Sequence, residues 1–218
     1  RNGMQYDPVM IVGVLLLLTL APFVIMVTTS YLKLVVVMSL VRNALGVQQV
    51  PPTMVLNGLA IIFSVFIMAP VAFETSALMN PAMFSRSVTP TEMVTAADEA
   101  TGPMQAFLKK HAHQKTVHFF LETAKRVWPK DKALTLKADD FSILIPAFAV
   151  SELTRAFEIG FLLYLPFVTI DIIISNILLA MGMMMVSPMT ISLPFKLLLF
   201  VLLDGWSKLI QGLVLSYA

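Results

Sequence analysis

The side chains best suited to chemistry in this sequence are few, and their spacing argues against catalysis. His111, His113 and His118 stand at i, i+2 and i+7, so on a helix the middle imidazole turns away from the other two and the set does not close on a metal. They read as part of a solvated helix. Ser187 and Ser192 have no histidine base near them in sequence, and no glycine-rich phosphate loop is present. Cysteine is absent, which removes thiolate nucleophiles, thiolate metal sites and disulfides and leaves the redox compartment unreadable. No catalytic set, metal site or cofactor site is expected, and the protein reads as nonenzymatic. A net charge of only +2, spread along the chain, forms no basic stripe, so nucleic acid is not an expected partner.

Other charges stand where lipid would not tolerate them. Lys196, Asp204 and Lys208 lie in the last apolar segment, where each would cost about 2.5 to 3.5 kcal/mol at a helix centre against about 0.3 to 0.6 gained per large aliphatic residue. On one continuous helix at about 100° per residue, the three share roughly a third of the circumference, with Asp204 and Lys208 at the favourable i, i+4 spacing. That face must meet protein or water. Asp171 lies between Ile170 and Ile172 and faces the same choice: an inter-helix tether, a proton relay, or a neutral carboxyl. Glu152, Arg155 and Glu158 are three apart in turn, which lets Arg155 pair with either acid. Glu152 and Lys196 each stand near the end of an apolar helix and need an opposite charge, which motivates an expected pairing between subunits. Met181, Met183, Met184, Met185 and Met189 crowd a turn around Gly182 and Pro188. Thioethers are flexible and polarizable, so such a turn can seal a gap and re-pack around an object of variable shape.

The elements that position these residues are membrane-type helices. With 58% hydrophobic and 13% charged residues, the chain departs from the roughly 25% charged content of soluble domains. Residues 1–73 read as a first hairpin: an apolar run from Pro8 to Val41 broken only by Lys33 and kinked at Pro22, then a turn, then Met54 to Phe73 ending near Pro70. The turn carries Arg42, Asn43, Gly46, Pro51 and Pro52, with Thr53 placed to cap the next helix. Residues 74–141 form a polar, water-facing insertion with one amphipathic helix through Met104, Phe107, Leu108, His111, Lys115, His118, Phe119 and Glu122. Pro81, Pro90, Pro103 and Pro129 punctuate its shorter pieces. Residues 142–218 form a second hairpin, with Ile191 to Tyr217 as one final helix. Four apolar segments would put both termini on one side. Charge bias does not orient them, since long loops translocate regardless of their lysines. Arg1 to Gly3 before Met4 are consistent with either a natural start at Met4 or a longer chain. The first apolar run is too long for a signal-peptide core and reads as an anchor.

Two stretches carry a resemblance. Residues 33–71 read KLVVVMSLVRNALGVQQVPPTMVLNGLAIIFSVFIMAPV, and residues 143–210 contain SELTRAFEIGFLLYLPF, AMGMMMVSP and ISLPFKLLLFVLLDGW. Together they span about half the chain and resemble the FliP family of flagella and its SctR branch of type III injectisomes. The resemblance implies an all-α protein of the bacterial inner membrane, multi-pass by hydropathy. It also implies homopentamers joining two small membrane subunits, FliQ/SctS-like and FliR/SctT-like, in a helical ring raised toward the periplasm. A large export-gate subunit and a switch protein would be further partners, unfolded secreted proteins the cargo, lipid the surroundings, and the insertion periplasmic. Met183, Met184 and Met185 match the family's methionine gasket around the channel. Arg42 and Asn43 would fix the first hairpin. Phe195, Lys196, Asp204, Trp206, Asp171 and Lys208 would serve packing between subunits. No cleavable leader of the flagellar kind is evident, which favours the injectisome branch over the flagellar paralogue. From another class, the alternative is a stand-alone ion or solute transporter using Asp171 and Glu158 as a proton path.

Overall fold

Helices account for every regular element among the described residues, 8–78 and 90–218 of a computed structural model. Pro81 and Arg1 to Gly3 lie outside that range. The first apolar run divides into α1, Pro8–Thr28, and α2, Tyr31–Ala44, with a 66° bend between their axes. The bend expected at Pro22 falls instead at Thr29 and Ser30. There the hydroxyls of Thr28 and Thr29 donate back to the carbonyls of Val24 and Ile25, each at 2.8 Å, a contact that bends helices. Ser64 closes the elbow from the next helix, accepting from Ser30 at 3.1 Å and donating to Thr29 at 3.3 Å.

Helix α2 is the hub. Lys33, Leu34, Val37, Met38, Val41 and Ala44 recur at three- and four-residue spacing and are all buried, so one face of the helix is withdrawn from solvent. The turn that follows holds Gly46 at φ 76 and Gln49 at φ 61. Next comes α3, Thr53–Leu78, which runs through Pro70 rather than ending there, so the expected boundary at residue 74 falls inside a helix. Thr53 begins the helix instead of capping it: Val55 and Leu56 donate to the carbonyl of Pro52.

The insertion contains α4, Pro90–His111, α5, Gln114–Val127, and the short α6, Lys130–Ala133. The single amphipathic helix expected through residues 104–122 is thus two. His113 is extended, and its N–H leaves the helical ladder to donate to Ser151 Oγ at 2.9 Å. Pro103 lies within α4, whereas Pro90 opens it, a position where the missing N–H costs nothing.

Helix α7, Phe141–Ala180, is the 40-residue spine, about 60 Å long at 1.5 Å per residue. It packs on α2, α4, α5 and α8, Pro188–Leu202. Gly160 permits the closest approach: a Cβ there would sit 2.3 Å from Leu40 Cδ1. The last expected helix is also divided, into α8 and α9, Gly205–Leu215, at a 58° bend. Asp204 takes the left-handed conformation (φ 52, ψ 48), which aspartate tolerates better than most residues. Gly205 follows where any Cβ would collide with the Phe200 ring at 2.4 Å.

Buried apolar residues form two clusters. One joins α2, α3, α7 and α9 around Leu34, Val37, Met38, Leu56, Ala156 and Leu213. The other joins the insertion to the end of α3, the start of α7 and Tyr217, through Leu108, Val117, Met68, Ile143 and Phe148. By length and composition, α3 and α7 suffice to cross a membrane, and the bent pairs α1–α2 and α8–α9 raise the count to four spans. Large apolar side chains such as Val65, Phe66, Phe161, Leu162 and Val201 point outward, as lipid or neighbouring helices require.

Candidate functional site

The methionine turn occupies the gap between α7 and α8. Its backbone is a Schellman motif: Gly182 N–H donates to Leu179 O at 3.0 Å and Met183 N–H to Leu178 O at 2.9 Å. The left-handed residue that motif needs is Gly182, at φ 72. Pro188 then starts α8. Between these fixed ends Met183, Met184 and Met185 are 44%, 80% and 100% exposed, so their thioethers stand free of the chain that carries them.

A partly buried polar contact holds the two helices together. Lys196 Nζ lies 2.6 Å from Asp171 Oδ2, and Ser192 Oγ donates to Asp171 Oδ1 at 2.5 Å. Lys196 is 3% exposed, so its amine depends on this carboxylate. It also reaches the first hairpin, lying 3.8 Å from the Cβ position of Gly46. At that hairpin turn Arg42 donates to Pro51 O at 3.2 Å and to Thr53 Oγ1 at 3.0 Å, while Asn43 O accepts from Gly46 N–H.

A second polar cluster lies far down α7. Glu152, wholly buried, accepts from Tyr217 Oη and lies 3.5 Å from Lys33 Nζ and 3.3 Å from Arg155. Lys33 Nζ also sits 3.6 Å from the centre of the Tyr217 ring, a cation–π contact. Arg155 donates onward to His111 O at 2.8 Å, and the His111 ring packs on Phe107 and Tyr217. Four parts of the chain therefore meet here: α2, α4, α7 and the residues after α9. Burial lowers the His111 imidazole to about 4, and the positive charges of Lys110, Lys33 and Arg155 act in the same direction.

The sequence-derived site residues are thus distributed unevenly. Asp171 and Lys196 come together, and Arg155 selects Glu152 rather than the exposed Glu158. The premise for a Glu152–Lys196 pair between subunits, that each lacks an opposite charge, does not hold within one chain. Lys196, Asp204 and Lys208 do not share a helix face either, because the Asp204 break separates α8 from α9. Asp204 and Lys208 are exposed, and among the described residues they form no ion pair with each other. Asp171 and Glu158 are 13 residues apart on one helix, about 20 Å, too far for direct proton transfer. The sequence reasoning gave no partner role to Lys33, Ser192 or Tyr217. A lone lysine in a long apolar run was the available signal for the first, since such a cation needs a partner.

A family model described as the FliP family matches residues 14–213. The chain belongs to the FliP family. It is 57% identical over 212 residues to "Yop proteins translocation protein R" of Yersinia pestis, covering 97% of each chain. It is 51% identical over 201 residues to "Hypersensitivity response secretion protein HrcR" of Ralstonia nicotianae, covering 92% of this chain and 93% of the other. Identity to "Virulence protein YscR" of Salmonella typhimurium is 49% over 212 residues, 97% and 98% of the two chains. These relatives carry secretion and virulence names, and this FliP-family chain is helical throughout its described regular elements, with membrane-type spans.

Proposed function

We propose that this chain is a nonenzymatic subunit of the export gate of an injectisome-type type III secretion system, lining the path of unfolded proteins across the bacterial inner membrane. The observation that carries the reading is the methionine turn: three consecutive thioethers exposed on a turn with fixed ends. Copies arranged about an axis, five by the family resemblance, would bring these side chains together as a deformable gasket. The FliQ/SctS-like and FliR/SctT-like subunits complete the gate, the large export-gate subunit and switch protein act behind it, and energy comes from elsewhere in the machine. The insertion lies on the periplasmic side. Glu152 and Lys196 are held inside one chain, whereas Asp204 and Lys208 are exposed and available for charge contacts with neighbouring subunits.

The gasket is tested by replacing Met183, Met184 and Met185 together by alanine in the assembled gate. Ion leakage should rise while assembly is retained, and an unchanged leak with normal assembly overturns the proposal. Deletion of the gene should abolish effector delivery and leave motility intact; the reverse outcome would assign the chain to flagella.

A further inference from the structure

Five of the chain's 15 methionines fall between residues 181 and 189, and the chain contains no cysteine. The thioether is therefore the softest nucleophile present, with no thiol to take an oxidant first. Exposure of these sulfur side chains is graded sharply. Met38 is wholly buried and Met68 nearly so, whereas Met181 and Met189 are 60% and 65% exposed and flank the still more open Met184 and Met185. The Schellman turn at Gly182 and the start of α8 at Pro188 fix both ends of the segment and leave these side chains uncovered by their own chain.

A peroxide transfers one oxygen atom to such a group. A sulfur lone pair attacks one peroxide oxygen, the O–O bond breaks, and with hydrogen peroxide the departing hydroxide takes the proton of the transferred oxygen and leaves as water. Sulfur loses two electrons and the peroxide gains them. The sulfoxide that forms is polar and accepts hydrogen bonds strongly, unlike the thioether it replaces. Thioethers packed on one another supply no donor for it, so a sulfoxide in such a seal is costly unless water enters. We propose that Met183, Met184 and Met185, with Met181 and Met189 beside them, form a reversible oxidation site. Conversion to sulfoxides by a peroxide hydrates the turn and loosens the seal. Reduction by thiol-dependent methionine sulfoxide reductases restores it, two thiols becoming a disulfide while the oxygen leaves as water. This rests on the gasket reading, under which a ring of such turns faces the water of the passage it closes and so stays open to a small peroxide.

The test uses the gate assembled with its partner subunits in ion-loaded vesicles, exposed to graded hydrogen peroxide. Peptide mass spectrometry should find an added oxygen first on Met184 and Met185. Met38 and Met68 should react at least about tenfold more slowly, since reaching them requires packed helices to open. Ion leakage should rise in step with the sulfoxides at the turn and return to its starting value once the reductases for both sulfoxide epimers, with dithiothreitol, have removed them. Met54 is 85% exposed but stands alone at the start of α3, so Met54→Leu should leave the response intact. In Met183→Leu/Met184→Leu/Met185→Leu, peroxide should add nothing to whatever leak the variant shows. Oxidation of Met38 and Met68 as fast as the turn overturns the proposal, as does a leak that persists after the turn is reduced. A gate that stays tight with its turn oxidised, while the triple alanine variant leaks, overturns this inference alone. A gate that stays tight in both cases overturns the gasket reading, and the proposed loosening falls with it.

Discussion

Replacing Glu152 by glutamine should be among the most damaging conservative changes available in this chain, and the structure predicts its size relative to its neighbours. Lys33 is 1% exposed, and among the described residues its one carboxylate partner is Glu152 at 3.5 Å. At an effective dielectric near 20, that separation corresponds to an attraction of about 5 kcal/mol. Glutamine removes it and leaves the ammonium buried, for which the expected loss is about 3 to 5 kcal/mol, or roughly a 10²- to 10⁴-fold shift toward the unfolded state. Lys33→Met is expected to cost less, about 1 to 3 kcal/mol, because Glu152 keeps Arg155 and the Tyr217 hydroxyl. Arg155 is 30% exposed and can turn to water when Glu152 is lost, whereas Lys33 cannot. The double variant Lys33→Met/Glu152→Gln should therefore be more stable than Glu152→Gln alone, with a coupling of about 2 kcal/mol. Unfolding of the purified chain in mixed micelles over an SDS titration, followed by pulse proteolysis, measures all three. A Glu152→Gln variant no worse than Lys33→Met, or a double variant whose loss equals the sum of the singles, would refute the reasoning.

Other outcomes follow from the same geometry. His111 takes a proton near 6.5 when unfolded but only near 4 when folded, so between those values the unfolded chain binds more protons and stability is lost as the pH is lowered. From pH 7 to pH 5 the loss should be about 2 kcal/mol, read as protease sensitivity of the insertion, and His111→Leu should flatten that window. Gly160→Ala places a methyl 2.3 Å from Leu40 Cδ1 and 3.1 Å from Leu40 Cβ, and should cost about 1 to 3 kcal/mol. Adding Leu40→Ala should recover part of that loss, and a Gly160→Ala chain with unchanged unfolding would contradict the close α2–α7 packing. Beside these stands the leak expected of the methionine triple variant.

Apolar runs, turn residues and the methionine-rich turn between two helices were legible in the sequence because they depend on local composition and on helical periodicity. The break at residues 181–187 follows from Gly182 and Pro188 alone, and the family from motifs spread over both halves. Where helices bend was not legible in the same way. Pro22 lies inside α1, while Thr29 and Ser30 form the elbow because Ser64 from α3 supplies hydroxyl partners. Asp204 breaks the last helix at a site where Gly205 yields to the Phe200 ring. Those are contacts between residues distant in sequence or on opposite sides of a turn, and periodicity carries no information about them. The same holds for charge. An isolated Lys33, Glu152, Asp171 or Lys196 in an apolar run declares from sequence alone that it needs a partner, since burying an unpaired charge costs several kcal/mol. Which partner it takes is decided by helix packing, which brings Lys33 and Tyr217 to Glu152 and Ser192 and Lys196 to Asp171, because an ion pair is fixed by distance in space and not by spacing along the chain.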